Sequence, residues 1–195
     1  MPTGVALQDV RSQLFDAAER VLLKQGPSAL TSRAVTAEAG VAKGVLHRHF
    51  ADFDDFLAEF VLDRRARMAP KADQLLGSAG TGDVIDNVAA VLSSVFGSVA
   101  MAILPLITFR VALRARLRQT WPDGVPILTD AVEMIADYLA AEQRQGRISP
   151  DAEIGGLAPM LVGTAHLLYG DSPPATATLR ASVSAVIAPS LAADA

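Results

Sequence analysis

The chain has 195 residues, 51% of them hydrophobic and 19% charged; that is enough apolar side chain to bury a sizeable core, and it excludes a disordered polymer. It has no cysteine, which excludes disulfides, thiolate catalysis and cysteine-ligated zinc. The formal net charge of −4 is uneven: residues 1–50 sum to +2 and the rest to −6, so the basic end is N-terminal.

A first helix is expected over about residues 7–24, where Val10, Leu14, Ala17, Ala18, Val21 and Leu22 recur at helical spacing. Gly26 and Pro27 end it, since Gly closes a helix and Pro cannot continue one. Two short helices joined by a tight turn follow. Thr31 or Ser32 can cap the first, Val35 anchors it, and Gly40 supplies the left-handed residue that stops it. The second runs over roughly residues 42–49. Leu46 and Phe50, four apart, point inward, and Lys43, Gly44, His47 and Arg48 fall on the opposite face. A short helix with a buried side, a small glycine and basic outward residues suits the major groove of DNA.

Asp52 reads as the N-cap of a fourth helix, with Asp54 and Asp55 near its positive end. Phe53, Phe56, Leu57, Phe60 and Val61 make a core stripe along it. Residues 77–82, Gly-Ser-Ala-Gly-Thr-Gly, read as a flexible linker. They lack the Lys and the flanking strand of a phosphate loop. Further helices are expected over about residues 83–99, 102–119, 126–145, 151–169 and 175–192. The one over 102–119 holds Pro105 and ends on Arg110, Arg114, Arg116 and Arg118, a solvated helix end. Arg110 alone directly follows the apolar segment and can pair with an anionic ligand group. The last two helices are nearly free of charge. A helix that is apolar nearly all round must be covered on several sides, which points to a second subunit and a four-helix bundle. The apolar runs 99–109 and 157–169 fall short of the ~18 residues that span a bilayer. No signal-peptide pattern opens the chain, so a cytoplasmic protein without membrane contact is expected.

The run AVTAEAGVAKGVLHRHF, preceded by Leu30 and Thr31 and followed by an acidic, aromatic helix, resembles the DNA-binding domain of the tetracycline-repressor (TetR/AcrR) family. The resemblance covers about residues 10–60. The Ala-Gly-Val turn, the Gly-x-Leu step and the His-Phe end all fall in register. It implies an all-α fold, with an N-terminal three-helix helix-turn-helix DNA-binding domain over residues 1–52. A C-terminal helical ligand-binding and dimerisation domain takes residues 53–195. It also implies a homodimer through the last two helices, double-stranded operator DNA as a partner and a largely apolar small-molecule effector. The sequence departs from the family at three places. His47 stands where Tyr is usual, Ala42 where Ser or Thr is usual, and Phe53 where a Lys meets a phosphate. One phosphate contact is thus missing, and His47 does a phenol's work with an imidazole.

The DNA-binding candidates are Ser32, Arg33, Lys43, Gly44, His47, Arg48 and His49. Lys43 and Arg48 can bond a guanine edge or a phosphate. Gly44 lets the backbone approach closely. Ser32, Arg33, His47 and His49 are phosphate candidates, although His49 can also pack beside Phe50. The plainer reading of this cluster is a solvated basic face. The ligand-binding candidates are Phe109, Arg110, Met134, Tyr138, His166 and Tyr169. For His166 the plainer reading is a satisfied core or interface histidine. No cofactor or metal is expected, because His47 and His49 lie about 200° apart around a helix and cannot share an ion. No His-Glu-x-x-His, Gly-x-Ser-x-Gly or dinucleotide fingerprint occurs, so no enzyme is expected.

The function expected is that of a ligand-responsive repressor that binds a near-palindromic operator as a homodimer. One alternative is a helical small-molecule-binding or enzymatic protein with a non-functional helix-turn-helix. Another is a DNA-binding protein governed by a protein partner. Imidazoles bind phosphate better when protonated, so operator affinity should rise as pH falls from about 8 to 6. Fluorescence anisotropy checks this beside His47→Tyr, whose profile should be flatter; a flat wild-type profile contradicts it.

Overall fold

The computed structural model describes residues 4–122 and 124–192, with side chains from Val10 onward. In chain order the helices are α1 (Gly4–Gln25), α2 (Ser32–Glu38), α3 (Gly44–His49), α4 (Phe53–Ala66), α5 (Ala69–Gly77), α6 (Val84–Phe96), α7 (Ala100–Phe109), α8 (Val111–Thr120), α9 (Leu128–Arg144), α10 (Ile154–Leu168) and α11 (Thr176–Ile187). Among the described residues β pairing amounts to one bridge, Ile148 to Leu191. The all-α expectation holds. The chain divides into two compact units, residues 1–66 with 102–123 and residues 67–101 with 124–195.

The first unit is built on α1. Its predicted apolar face is buried at Leu14, Ala17, Ala18, Val21 and Leu22, with Phe15 beside them. Phe15 sits 5.7 Å from Phe50, 5.6 Å from Phe56 and 6.2 Å from Phe60, centroid to centroid. These rings join α1, the end of α3 and α4 in one cluster, and such pairs each add about 0.5–1.5 kcal/mol beyond the area they bury. Arg64 of α4 is buried against α1. It lies 2.8 Å from Asp16 and 2.5 Å from Glu19, and its guanidinium sits over the Phe60 ring at 5.1 Å. α8 packs on α4 through buried Leu113 and Leu117, with Arg65 over the Trp121 ring at 3.8 Å.

Two boundaries differ from expectation here. The second short helix starts at Gly44, because Ala42 and Lys43 form the turn that precedes it. The single helix expected over 102–119 is two, α7 and α8. Pro105 lies inside α7, and the break falls at Arg110, whose backbone is extended (φ −98°, ψ 98°). Its guanidinium is bound to Asp54, a distant partner that helical spacing does not reveal.

The second unit packs α6, α9, α10 and α11 around Leu92, Phe96, Ile135, Leu139, Leu161 and Val183, all buried. The short α5 was not foreseen; Pro70 opens it and Leu75 buries it. Residues 77–82 are not a free linker. The Glu142 side chain is fully buried and accepts the Gly80 N–H at 3.2 Å. Glu142 also lies 3.2 Å from Arg147, which donates in turn to the Gly82 carbonyl. Asn87 donates to the Thr81 carbonyl at 2.9 Å and to the Tyr138 hydroxyl at 3.0 Å. Burial, with Glu142 beside it, pushes the Tyr138 hydroxyl well above the ordinary phenol range. Gly80 takes φ +82°, a conformation glycine adopts without the clash a side chain brings. Small residues are thus used here for a pinned turn.

No single helix among the described residues is long and apolar enough to cross a membrane. Glu142→Ala should leave the Gly80 N–H without its acceptor and Arg147 with only the Gly82 carbonyl, and cost about 1–3 kcal/mol, the range for leaving a buried polar group unsatisfied. Urea or thermal denaturation measures it; an unchanged midpoint contradicts the clamp.

Candidate nucleic-acid interface

α2 and α3 are set by local chemistry. Thr31 caps α2 by accepting the Ala34 N–H at 3.1 Å. Gly40 takes φ +68° after its last turn. There the Val41 N–H bonds the Thr36 carbonyl at 3.0 Å, and the Gly40 N–H bonds the Ala37 carbonyl at 3.1 Å. That crossed pair closes α2 in a Schellman motif and redirects the chain into α3. Leu46 and Phe50 then enter the core at full or nearly full burial.

α1 steadies both short helices from behind. The Gln13 amide donates to the Ala39 carbonyl at 2.9 Å, and Arg11 donates to the His49 carbonyl at 3.2 Å. Arg11 also lies over the Phe50 ring at 4.5 Å and pairs with Glu59. Arg20 donates to Glu38 at 2.7 Å, which holds that carboxyl below the usual carboxylate range. Cations at helix C-termini satisfy open carbonyls and oppose the negative end of the dipole. The roles of Arg11, Gln13 and Arg20 were not foreseen; the only sequence signal was their place on the first helix, facing away from its apolar stripe.

This support leaves one face open. Gly44, His47 and Arg48 are exposed on α3, Lys43 at its N-cap, and Arg33 on α2. The side chains of Arg33, Lys43, His47 and Arg48 have no ion-pair or hydrogen-bond partner among the described residues. Ser32 is half-buried in the first turn of α2. His49 is half-buried with its ring 6.5 Å from that of Phe50. The structure thus gathers the DNA candidates on and beside α2 and α3, with the cations exposed and His49 half-buried beside Phe50.

The ligand candidates fall into two groups. Phe109 and Arg110 belong to the first unit. Phe109 is 81% exposed. Arg110, expected to meet an anionic group, meets one within the protein: its Nε and Nη2 both donate to Asp54 Oδ1, at 3.0 and 2.8 Å. Met134, Tyr138, His166 and Tyr169 belong to the second unit. Met134, Tyr138 and Tyr169 are buried. Tyr169 donates to the Ser93 hydroxyl at 3.0 Å, and its ring lies 6.0 Å from that of Phe96. The His166 ring is 6.2 Å from that of Phe96, and its Nδ1 is buried without a hydrogen-bond partner.

Residues 14–60 match the family described as bacterial regulatory proteins, tetR family. That match covers α2 and α3 with most of α1 and the first part of α4. No curated protein matches the chain in sequence. Solved tetR-type structures carry the likeness over nearly the full length. A TetR transcription regulator from Haloarcula marismortui ATCC 43049 superposes with a TM-score of 0.71 at 18% identity, covering 94% of this chain and 99% of that one. E. coli NemR in its reduced form gives 0.71 at 16% identity, over 91% and 96%. The fatty acid degradation regulator FadR from Bacillus halodurans gives 0.67 at 17% identity, over 91% and 94%. At these identities the likeness is one of fold: a tetR-type helix-turn-helix followed by a helical region. The tetR match ends at residue 60, so α8 and its arginines lie outside it.

Proposed function

We propose that this chain is a homodimeric transcriptional regulator, a ligand-responsive repressor whose α3 enters the major groove of a near-palindromic operator. The observation that carries the reading is the two-sidedness of α3. Leu46 is fully buried on one side, while Lys43, Gly44, His47 and Arg48 stand exposed on the other with no internal partner. Lys43 and Arg48 read guanine edges or hold phosphates, and Gly44 lets the backbone come close. Ser32, Arg33, His47 and His49 meet phosphates at the margins.

One six-residue helix reads too few base pairs, and a two-fold dimer places two in successive major grooves. The outer side of α10 supports that assembly. Met160 is 58% and Leu167 81% exposed there, with Gly163 between them and Gly156 one turn before Met160, both exposed. A second copy of α10 and α11 covers this apolar face. The effector is a largely apolar small molecule held in the second unit near Met134, Tyr138, His166 and Tyr169. The unpartnered His166 Nδ1 gives it one polar handle. A description as fatty acid degradation regulator attaches to the Bacillus halodurans neighbour, and an apolar effector fits the same kind of lining. Release follows only if the effector binds one dimer geometry better than the other.

The test is fluorescence anisotropy on DNA from just upstream of the coding region, over a salt series. Binding should be tight and fall steeply with salt. Lys43→Ala and Arg48→Ala should weaken it by about 1–3 kcal/mol in at least one case, without loss of thermal stability. Binding indifferent to both substitutions and to sequence, with random-sequence selection also failing, contradicts the reading.

A further inference from the structure

Three carboxylates, Asp52, Asp54 and Asp55, crowd the start of α4, and only Ala51 separates them from Phe50 at the end of α3. Their placement has a local cause. Asp52 accepts the Asp55 N–H at 2.9 Å, and Asp55 accepts the Ala51 N–H at 2.9 Å. The pair caps α4 reciprocally, and its positive end favours negative charge. For DNA binding the same carboxylates are a liability. They sit next to the helix that approaches a phosphate backbone, within about one Debye length, where salt screens them only in part.

The compensation comes from far along the chain. Arg110 gives two hydrogen bonds to Asp54 and lies over the Phe53 ring at 5.5 Å. Arg116 donates to Asp52 Oδ2, and its Nη1 lies 3.4 Å from Asp55 Oδ1. Two guanidiniums thus meet all three carboxylates. The Asp55 N–H, and after it Arg116, hold the Asp52 carboxyl below the usual carboxylate range. These side chains keep from a quarter to half of their surface exposed, and ion pairs so accessible to solvent contribute little to folding. Their effect on the local field is a different matter, because it adds to that of Lys43 and Arg48 wherever phosphate approaches.

We propose that Arg116, assisted by Arg110, is a positioning residue for DNA binding: it neutralises Asp52 and Asp55 and so admits the phosphate backbone to α3. It touches no DNA itself. The inference rests on the reading of α3 as the DNA-contacting helix.

The experiment is operator anisotropy at low and moderate salt with the full chain. The variants are Arg116→Gln, Arg116→Lys, Asp52→Asn with Asp55→Asn, all three changes Arg116→Gln, Asp52→Asn and Asp55→Asn together, and Lys43→Ala as control. Thermal melts run beside them. Asn keeps the cap acceptors and removes the charge, so electrostatics is separated from structure. Arg116→Gln should weaken binding about three- to tenfold at low salt, the Coulomb effect of one uncompensated charge at intermediate dielectric. The loss should shrink as salt rises, with the melting temperature little changed. Arg116→Lys should keep wild-type affinity, and the triple variant should recover it to within about twofold. If Arg116→Gln does not fold, the Asp52→Asn, Asp55→Asn pair decides: it should bind at least as tightly as wild type, and weaker binding overturns the proposal. Unchanged affinity in Arg116→Gln, with Lys43→Ala weakened, overturns this inference alone. A triple variant as weak as Arg116→Gln also overturns it, because Arg116 would then hold phosphate directly. Wild-type binding both by Lys43→Ala and by the Arg48→Ala variant of the preceding test overturns the reading of α3, and this inference with it.

Discussion

A six-residue helix does not hold its shape in water, because fixing the first turn costs more than so few hydrogen bonds return. α3 therefore depends on its surroundings for its existence. Leu46 and Phe50 enter the core, and Phe50 meets Phe56 edge-on at 5.1 Å. The Gly40 turn fixes the direction of entry, and Arg11 holds the last carbonyl. With all the stabilisation on the inner side and the ends, the outer face is free to be small, polar and cationic. The division of labour between the faces of α3 makes an open cationic face compatible with a stable fold.

The same constraint explains how an acidic protein can present a basic face. The sum of charges matters less than which cations are already paired. Arg11 pairs with Glu59, Arg20 and Lys24 approach Glu38, and Arg64 is buried among carboxylates. The excess counted over residues 1–50 is therefore not the charge left unpaired at the surface. What faces outward is the smaller set of Arg33, Lys43 and Arg48. At the start of α4 the signs are reversed: acidic caps that suit the helix are covered by Arg110, at the break before α8, and by Arg116 of α8.

The sequence was most legible where the determining contacts are local. The α1 stripe, the Thr31 cap, the Gly40 turn and the inward pair Leu46 and Phe50 all follow from spacing within a few residues. The outward set on α3 follows from the same register. Contacts across long separations were not legible. The helix break at Arg110 has its partner 56 residues away at Asp54, and the expected single helix over 102–119 was drawn through it. Residues 77–82 have the composition of a flexible linker, but Glu142 and Arg147 pin them. α5 was overlooked because it is short and shows only Leu75 to the core. In the second unit Tyr138 and Tyr169 are legible only as candidates; their burial and their hydrogen-bond partners Asn87 and Ser93, both on α6, are not.

Backbone hydrogen exchange with and without saturating operator DNA tests the central claim most directly, because it reports where DNA lies without any substitution. The account places the contact on the outer face of α2 and α3. Amides over residues 31–49 should exchange more slowly in the complex, and those of α10 should be unchanged by DNA at protein concentrations where the dimer is already formed. Slowing confined to helices of the second unit, with residues 31–49 unaffected by bound DNA, would contradict it.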